Sequence, residues 1–478
     1  MKRYKNEEFK QSMRLRLDVN NMMSDYIGTE QGITQAELQG IAPAAKAAWE
    51  AVNASRGKGM MGWAELPYNQ NEIVEDILSC AKKVQNKFEN FVVLGIGGSA
   101  LGPIAIQQAL NHMHYNALSS KKRGGCPKLY VEDNVDPERM EALFDIIDVE
   151  KTCFNVITKS GSTSETMTQY LIIWNILKSK LGAKANENII ATTDAAKGNL
   201  IKIVKQEGFK MFIIPDGVGG RFSELCPVGL LCAAVCGIDI KELLVGAAYM
   251  DELCKKNELF ANPALMAAAM QFIAMGKGKN ISVMMPYADS LKYIADWYCQ
   301  LWGESLGKRY SLDGKEVYTG QTPVKALGVT DQHSQVQLYT EGPFDKVVTL
   351  LGVDKYHKTV SIPNGCEDIP DVHFLCGHTM NELILAEQAA TEYALLKSKH
   401  LNHTITLPEV NAFTIGQLLY FYEMETAYAG AMLNINTFDQ PGVEEGKNAA
   451  YALLGRPGYD EKRAELAKVP KKNEKYII

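Results

Sequence analysis

No two of the ten cysteines stand in a C-x-x-C pair. That excludes a zinc ribbon and gives no sign of a disulfide framework. Cys232 and Cys236 fall in an apolar run that reads as buried helix, so the thiols are expected to be reduced packing groups. The longest apolar runs, 228–238 and 264–275, are too short to span a bilayer. The opening stretch MKRYKNEEFKQSMRLRLDVNN is charged throughout and lacks the apolar core of a secretory signal. Together these absences point to a cytoplasmic address without a membrane partner. A strong excess of one charge sign is also missing: 50 Lys and Arg against 56 Asp and Glu leave a net charge of -6, which gives no electrostatic reason to expect nucleic acid or an anionic membrane surface. The eight histidines include no H-x-x-x-H pair, and the H-x-H of His112 and His114 stands alone, so no metal is expected.

What the chain does have is length and a regular alternation. Its 478 residues allow roughly two or three domains and a large core. Apolar, β-branched segments at 91–96, 129–131, 154–157, 189–193 and 211–214 are separated by helical stretches such as 104–110 and 165–181. A second set begins at 281–285 and continues through a long helix to 346–351, then helices near 381–396 and 414–433. Strand and helix in alternation predict α/β architecture, here two doubly wound parallel-sheet domains. The expected division is an N-terminal helical segment (1–70), a first α/β domain (71–245), a second (246–435) and a C-terminal arm (436–478).

In a doubly wound sheet the first and third strands are neighbours, and ligands bind beyond their carboxyl ends. Here the first strand runs into GIGGSALG, which contains Gly98 and Ser99, and the third into TKSGSTSET, with six hydroxyl side chains in nine residues. Both loops should meet in one crevice. Glycines admit close backbone approach, new helices offer unpaired N–H groups, and hydroxyls add donors, so the pair predicts a phosphate or sulfate cradle. The competing reading is local: Ser162-x-x-Glu165 also has the spacing of a helix capping box.

GIGGSA matches G-x-G-x-x-A as well, which raises a dinucleotide cofactor. A site of that kind expects an acidic residue about twenty positions on, yet no Asp or Glu occurs between Glu89 and Glu132. No Walker A loop is present either, so no cofactor is expected. DGVGGRFSELCPVG delivers Arg221 from a glycine turn after the fifth strand, either towards a ligand or into a surface salt bridge. Glu304 ends a helix on the side of Trp297 and Leu301, near the buried margin, where a carboxylate can serve as a general base or simply face solvent. His333, in GVTDQHSQ, and Lys447, in FDQPGVEEGK, complete the candidates.

GIGGSALGP, TKSGSTSET, DGVGGRFS, WGESLGK and FDQPGVEEGK, in this order between residues 91 and 454, resemble the phosphoglucose isomerase family. The resemblance implies two sugar-isomerase (SIS-type) domains, a homodimer, no cofactor and no metal. It also implies reversible isomerisation of glucose 6-phosphate and fructose 6-phosphate. By position, Thr158, Lys159, Ser160, Ser162, Thr163 and Thr166 are similar to the cradle for the sugar phosphate, with Gly98 and Ser99 beside it. Glu304 resembles the base acting between C2 and C1, and Arg221 the residue that stabilises the enediolate. His333 and Lys447 resemble the ring-opening pair, with His333 supplied by the neighbouring subunit, and Gln440 resembles a sugar contact. T-D-Q-H in place of N-G-Q-H, Pro441 and Glu445 are similar to the shorter bacterial branch. Three other readings remain: a non-catalytic sugar-phosphate sensor on the same fold, an amino-sugar-phosphate isomerase, and a dehydrogenase, which would require NAD binding.

Overall fold

The computed structural model describes residues 2–478. They divide into a large body ending at Thr437 and a small one, Phe438–Ile478. The N-terminal segment, expected to be helical, also contributes a strand, β1 (Arg16–Asp18), before the helix Gln35–Ser55. That helix opens with a reciprocal capping box between Thr34 and Glu37.

The first sheet contains β2 (Asn90–Leu94), β3 (Lys128–Glu132), β4 (Thr152–Ile157), β5 (Ile189–Thr193) and β6 (Lys210–Ile213). Their order is β3-β2-β4-β5-β6, and every pairing is parallel. The central strands β2, β4 and β5 are buried along their whole length, which accounts for their unbroken apolar character. Val92, Phe154, Val156 and Ala191 pack with Ile173 and Leu177 of the helix Ser164–Leu181. The chain order of the strands reverses about β2, which lies between β3 and β4 as the sequence predicts.

The second sheet uses β7 (Ile281–Pro286), β10 (Thr322–Lys325), β11 (Lys346–Lys355) and β12 (Asn402–Glu409), while β8 (Lys308–Tyr310) and β9 (Glu316–Thr319) form a separate antiparallel ribbon. Its order is β1-β12-β11-β7-β10, parallel except where β1 runs antiparallel along β12. The helix Ala412–Met432 is buried on all sides from Ala412 to Gly430. Glycine makes its packing against the helix Ile240–Cys254 possible: a Cβ on Gly416 would lie 1.9 Å from the Leu243 carbonyl oxygen. Core positions in this region include Val283, Met285, Val348, Leu350 and Leu395.

In the small body, the helices Glu444–Leu453 and Asp460–Leu466 meet where Arg463 Nε donates to the Ala452 carbonyl. Among the described residues no helix is long and apolar enough to cross a membrane, and no group of three His, Cys, Asp or Glu could hold a metal ion. All ten cysteines are free thiols, including the buried Cys232 and Cys236.

Candidate active site

Three chain segments converge at the carboxyl edge of the first sheet. The loop after β2 packs directly on the turn carrying Arg221: a Cβ on Gly98 would lie 2.1 Å from the carbonyl carbon and oxygen of Gly220. No larger residue fits there. Ser223 Oγ ties the same two segments together, donating to Gly220 O at 2.6 Å and Gly98 O at 3.4 Å. Ser99 follows, half-buried, just before the helix Leu101–Leu110.

The hydroxyl loop after β4 folds on itself. Thr158 Oγ1 is 3.0 Å from Thr163 Oγ1 and accepts from the Gly161 N–H. Ser162 Oγ donates to Ser160 Oγ at 2.9 Å. Gly161 takes φ +62°, and a Cβ there would meet the Leu200 backbone nitrogen at 2.1 Å, so the turn is closed from behind. Lys159 Nζ donates to the Val218 carbonyl, which links this loop to the segment before Arg221. The capping box suggested by Ser162 and Glu165 does not form. The helix starts at Ser164, its N-cap Thr163 makes no side-chain cap, and the hydroxyls bond within the loop instead. The helix from Leu101 likewise begins without a side-chain cap. Thr166 lies on the first turn of its helix, 1% exposed, and its hydroxyl has no hydrogen-bond partner among the described residues.

Arg221 is 3% exposed. Its Nε donates to Ser305 Oγ at 2.7 Å, one terminal nitrogen to Glu304 Oε2 at 3.2 Å and the other to the Thr437 carbonyl at 2.7 Å. The rigid fork suits three acceptors in fixed directions. Glu304 stands near the end of the helix Lys292–Leu306 with about a third of its side chain exposed, and Gln300 Nε2 donates to its other oxygen at 3.3 Å. Lys308 holds the end of this helix by donating to the carbonyls of Glu304 and Ser305. Arg221 and Glu304 are therefore in direct contact, a fixed cation beside a carboxylate that retains access to solvent. Such a pair can move a proton while countering the charge that develops.

Gln300, Ser305 and the Thr437 carbonyl were not anticipated. The signal for Gln300 was its i, i+4 spacing from Glu304, and it also abuts Gly97, where a Cβ would lie 2.9 Å from Gln300 Nε2. Ser305 is fully buried yet looks like an ordinary helix-end serine in sequence.

His333 is not brought to this pair within the chain. It is exposed at the end of the turn Thr330–His333, and its imidazole makes no hydrogen bond or ion pair among the described residues. The turn itself is anchored by Asp331. Burial opposes this carboxylate, but hydrogen bonds from Ser334, Gln335 and the Leu327 N–H outweigh it and hold its pKa below the usual range. In the small body, Gln440 is exposed, and Lys447 Nζ is paired with Glu444 Oε1 at 2.9 Å on the same helix.

A profile of the phosphoglucose isomerase family matches residues 64–468. The chain belongs to this family. Among phosphoglucose isomerase relatives, it is 54% identical over 466 residues to a glucose-6-phosphate isomerase of Carboxydothermus hydrogenoformans, covering 98% of this chain and 100% of that one. A glucose-6-phosphate isomerase of Rubrobacter xylanophilus is 43% identical, covering 92% and 99% of the two chains. Among solved structures, a hypothetical protein from Thermus thermophilus superposes with a TM-score of 0.82 at 34% identity, covering 92% of this chain and 100% of that one. A glucose-6-phosphate isomerase from Chlamydia trachomatis shares the fold, with a TM-score of 0.71 at 24% identity and coverage of 89% and 81%.

Proposed function

We propose that the protein is a glucose-6-phosphate isomerase that interconverts D-glucose 6-phosphate and D-fructose 6-phosphate. The observation that carries the reading is the buried Arg221 fixed against the partly exposed Glu304, beside a glycine and hydroxyl crevice, in a chain of this family.

In this reading the substrate phosphate binds Thr158, Lys159, Ser160, Ser162, Thr163 and Thr166, with Gly98 and Ser99 closing one side. The two uncapped helix starts supply N–H groups and favourable dipole ends. Because the phosphate is remote from the bonds that change, its binding energy holds the sugar in a reactive pose. Ring opening needs a proton donor and acceptor near the ring oxygen and the anomeric hydroxyl, the work of His333 and Lys447. Glu304 then removes the proton from C2 of the open aldose. The electron pair forms the C1–C2 double bond of an enediol(ate), whose oxygen charge Arg221 stabilises. The same carboxyl returns the proton to C1 while the hydroxyl proton on O2 passes to O1, and the carbonyl is left at C2. No electrons leave the substrate, so the step needs no redox cofactor. Gln440 orients the sugar.

The exposed, unengaged His333 supports its service in the site of a second subunit, making the working form a homodimer. We retain the division 1–70, 71–245, 246–435 and 436–478 as functional segments, and a cytoplasmic, glycolytic and gluconeogenic setting.

The test adds fructose 6-phosphate to purified protein without metal or nucleotide and follows glucose 6-phosphate, with Glu304→Gln as control. Product from wild type alone is expected. Tight binding without product favours the sensor, and turnover of an amino-sugar phosphate in its place favours the amino-sugar isomerase. Mixing His333→Ala with Glu304→Gln subunits should restore partial activity, since one of the two shared sites is then intact. No recovery after verified subunit exchange means that each site lies within one chain.

A further inference from the structure

Arg221 makes short bonds to neutral acceptors and a long one to the charge beside it. Its bonds to Ser305 Oγ and to the Thr437 carbonyl are each 2.7 Å, whereas the contact with Glu304 Oε2 is 3.2 Å. An arginine next to a carboxylate frequently forms two parallel N–H···O bonds of about 2.7–2.9 Å. Here the carboxylate accepts one bond from Arg221, and its other oxygen takes Gln300 Nε2 at 3.3 Å. This order of lengths is the reverse of what charge alone would give.

Ser305 accounts for the reversal. It directly follows Glu304 on the helix Lys292–Leu306 and is fully buried. Lys308 Nζ donates to the carbonyls of Glu304 and Ser305 at 2.6 and 2.9 Å, so one fixed helix end presents both the carboxylate and the hydroxyl. The Nε–H that Ser305 accepts is not available to the carboxylate, and the Thr437 carbonyl holds a terminal nitrogen. A planar guanidinium tied at two nitrogens turns only its third to Glu304.

The charged groups around this helix do not supply the restraint. The Leu101–Leu110 helix and β7, both packed against it, carry no titratable side chain. The turn Asp289–Leu291 brings Asp289, and β10 brings Lys325, which pairs with Asp296. The helix Ala412–Met432 brings Tyr420, Tyr422, Glu423, Glu425 and Tyr428, and burial raises the pKa of every one of them. Of the cations named, Arg221 is the one in ion-pair contact with Glu304.

We infer that Ser305 is a positioning residue: its hydroxyl holds Arg221 in a single, long contact with Glu304 and keeps the two from closing into a bidentate ion pair. This deepens the isomerase reading and rests on it for the roles of the two groups. A carboxylate locked to arginine through two short bonds is a poor base, because both bonds favour its charged form over the protonated form that proton abstraction produces. A guanidinium locked in the same way has its donors occupied and cannot turn them to the enediolate. Without the Ser305 oxygen, Nε is left buried without that acceptor, and the adjacent carboxylate is the group that can replace it.

The test isolates the base with 5-deoxyfructose 6-phosphate, a ketose that cannot close a ring because O5 is missing and O6 carries the phosphate. Exchange of its C1 hydrogen with solvent needs Glu304 and Arg221 but no ring opening. In Ser305→Ala the saturated exchange rate should fall by about 10- to 100-fold with KM nearly unchanged. Its acid limb should move to lower pH by about one unit, since a more tightly paired carboxylate stays ionised in more acid solution. Ser305→Cys keeps the bulk but accepts only weakly, and should follow Ser305→Ala. Ser305→Thr returns the hydroxyl and should recover both the rate and the limb. A crystal structure of Ser305→Ala should show two N–H bonds from Arg221 to Glu304. An acid limb that does not move overturns the proposal, as does a lost rate that folded Ser305→Thr fails to recover, or an Arg221 that keeps its single contact. If Ser305→Ala does not fold, Ser305→Cys decides by the same readings. Wild type that exchanges no C1 hydrogen overturns the isomerase reading, while the crystal structure still decides whether Ser305 holds the two groups apart.

Discussion

At the Arg221 end of the crevice a formal charge is 3% exposed and bound to a hydroxyl, a carboxylate and a carbonyl. At the Thr158–Thr163 end neutral hydroxyls bond mainly to one another, and the single lysine rests on a backbone carbonyl. The first arrangement fixes a cation that would be expensive to misplace; the second keeps exchangeable hydrogen bonds that a phosphate can take over. Chemistry that depends on angle is assigned to the rigid end, and affinity to the adaptable one.

The widest separation between the two ends should come from Glu304→Gln. It keeps shape and an Arg221 contact but cannot accept a proton from carbon, so kcat should fall by about 10²- to 10⁴-fold. Binding of a phosphorylated sugar analogue, followed by calorimetry, should be nearly unchanged. Normal hydrogen exchange at C2 in this variant would remove Glu304 as the base. Arg221→Lys retains charge but not the fork, and should lower kcat by about 10²-fold. A thermal melt of the same variant should show lost stability, because one ammonium cannot serve Ser305, Glu304 and Thr437 in their present directions.

At the other end, Ser160→Ala with Thr163→Ala should weaken phosphate-sugar binding by about tenfold, on the scale of one or two charge-assisted hydrogen bonds. Titration with a phosphorylated inhibitor measures this, and unchanged affinity would end the cradle assignment. The smallest effect should appear at Thr166, whose hydroxyl is buried without a hydrogen-bond partner among the described residues. Thr166→Val should stabilise the free protein by roughly 1 kcal/mol in denaturant titration while weakening sugar-phosphate binding. A variant stabilised equally with and without ligand would show that this hydroxyl does not reach the phosphate.

The first sheet was readable because β2, β4 and β5 are buried on both faces and so carry long β-branched runs. Their order followed from the crossover geometry, and it placed the glycine and hydroxyl loops together. Strand β1 was not read because Arg16, Leu17 and Asp18 lie at an edge with alternating exposure. Strand β10 hides behind Pro323, which an edge position tolerates. In the site, Arg221 and Glu304 stood out as unusual residues at element ends, and their contact emerged only when the two segments were packed. Backbone acceptors such as the Thr437 carbonyl leave no mark in a sequence. Ser162 and Glu165 had the spacing of a cap, but competition from neighbouring hydroxyls decided the outcome.

The Thr437 contact has a bearing on synthesis. Its carbonyl is separated from Arg221 by 216 positions, so a growing polypeptide carries the arginine long before the acceptor exists. The first sheet can form while translation continues, since its strands end at Ile213. The guanidinium gains the Thr437 carbonyl only once synthesis has passed that residue. A product that stops before Thr437 can thus possess both loops and the Arg221–Glu304 pair while lacking one acceptor of the guanidinium.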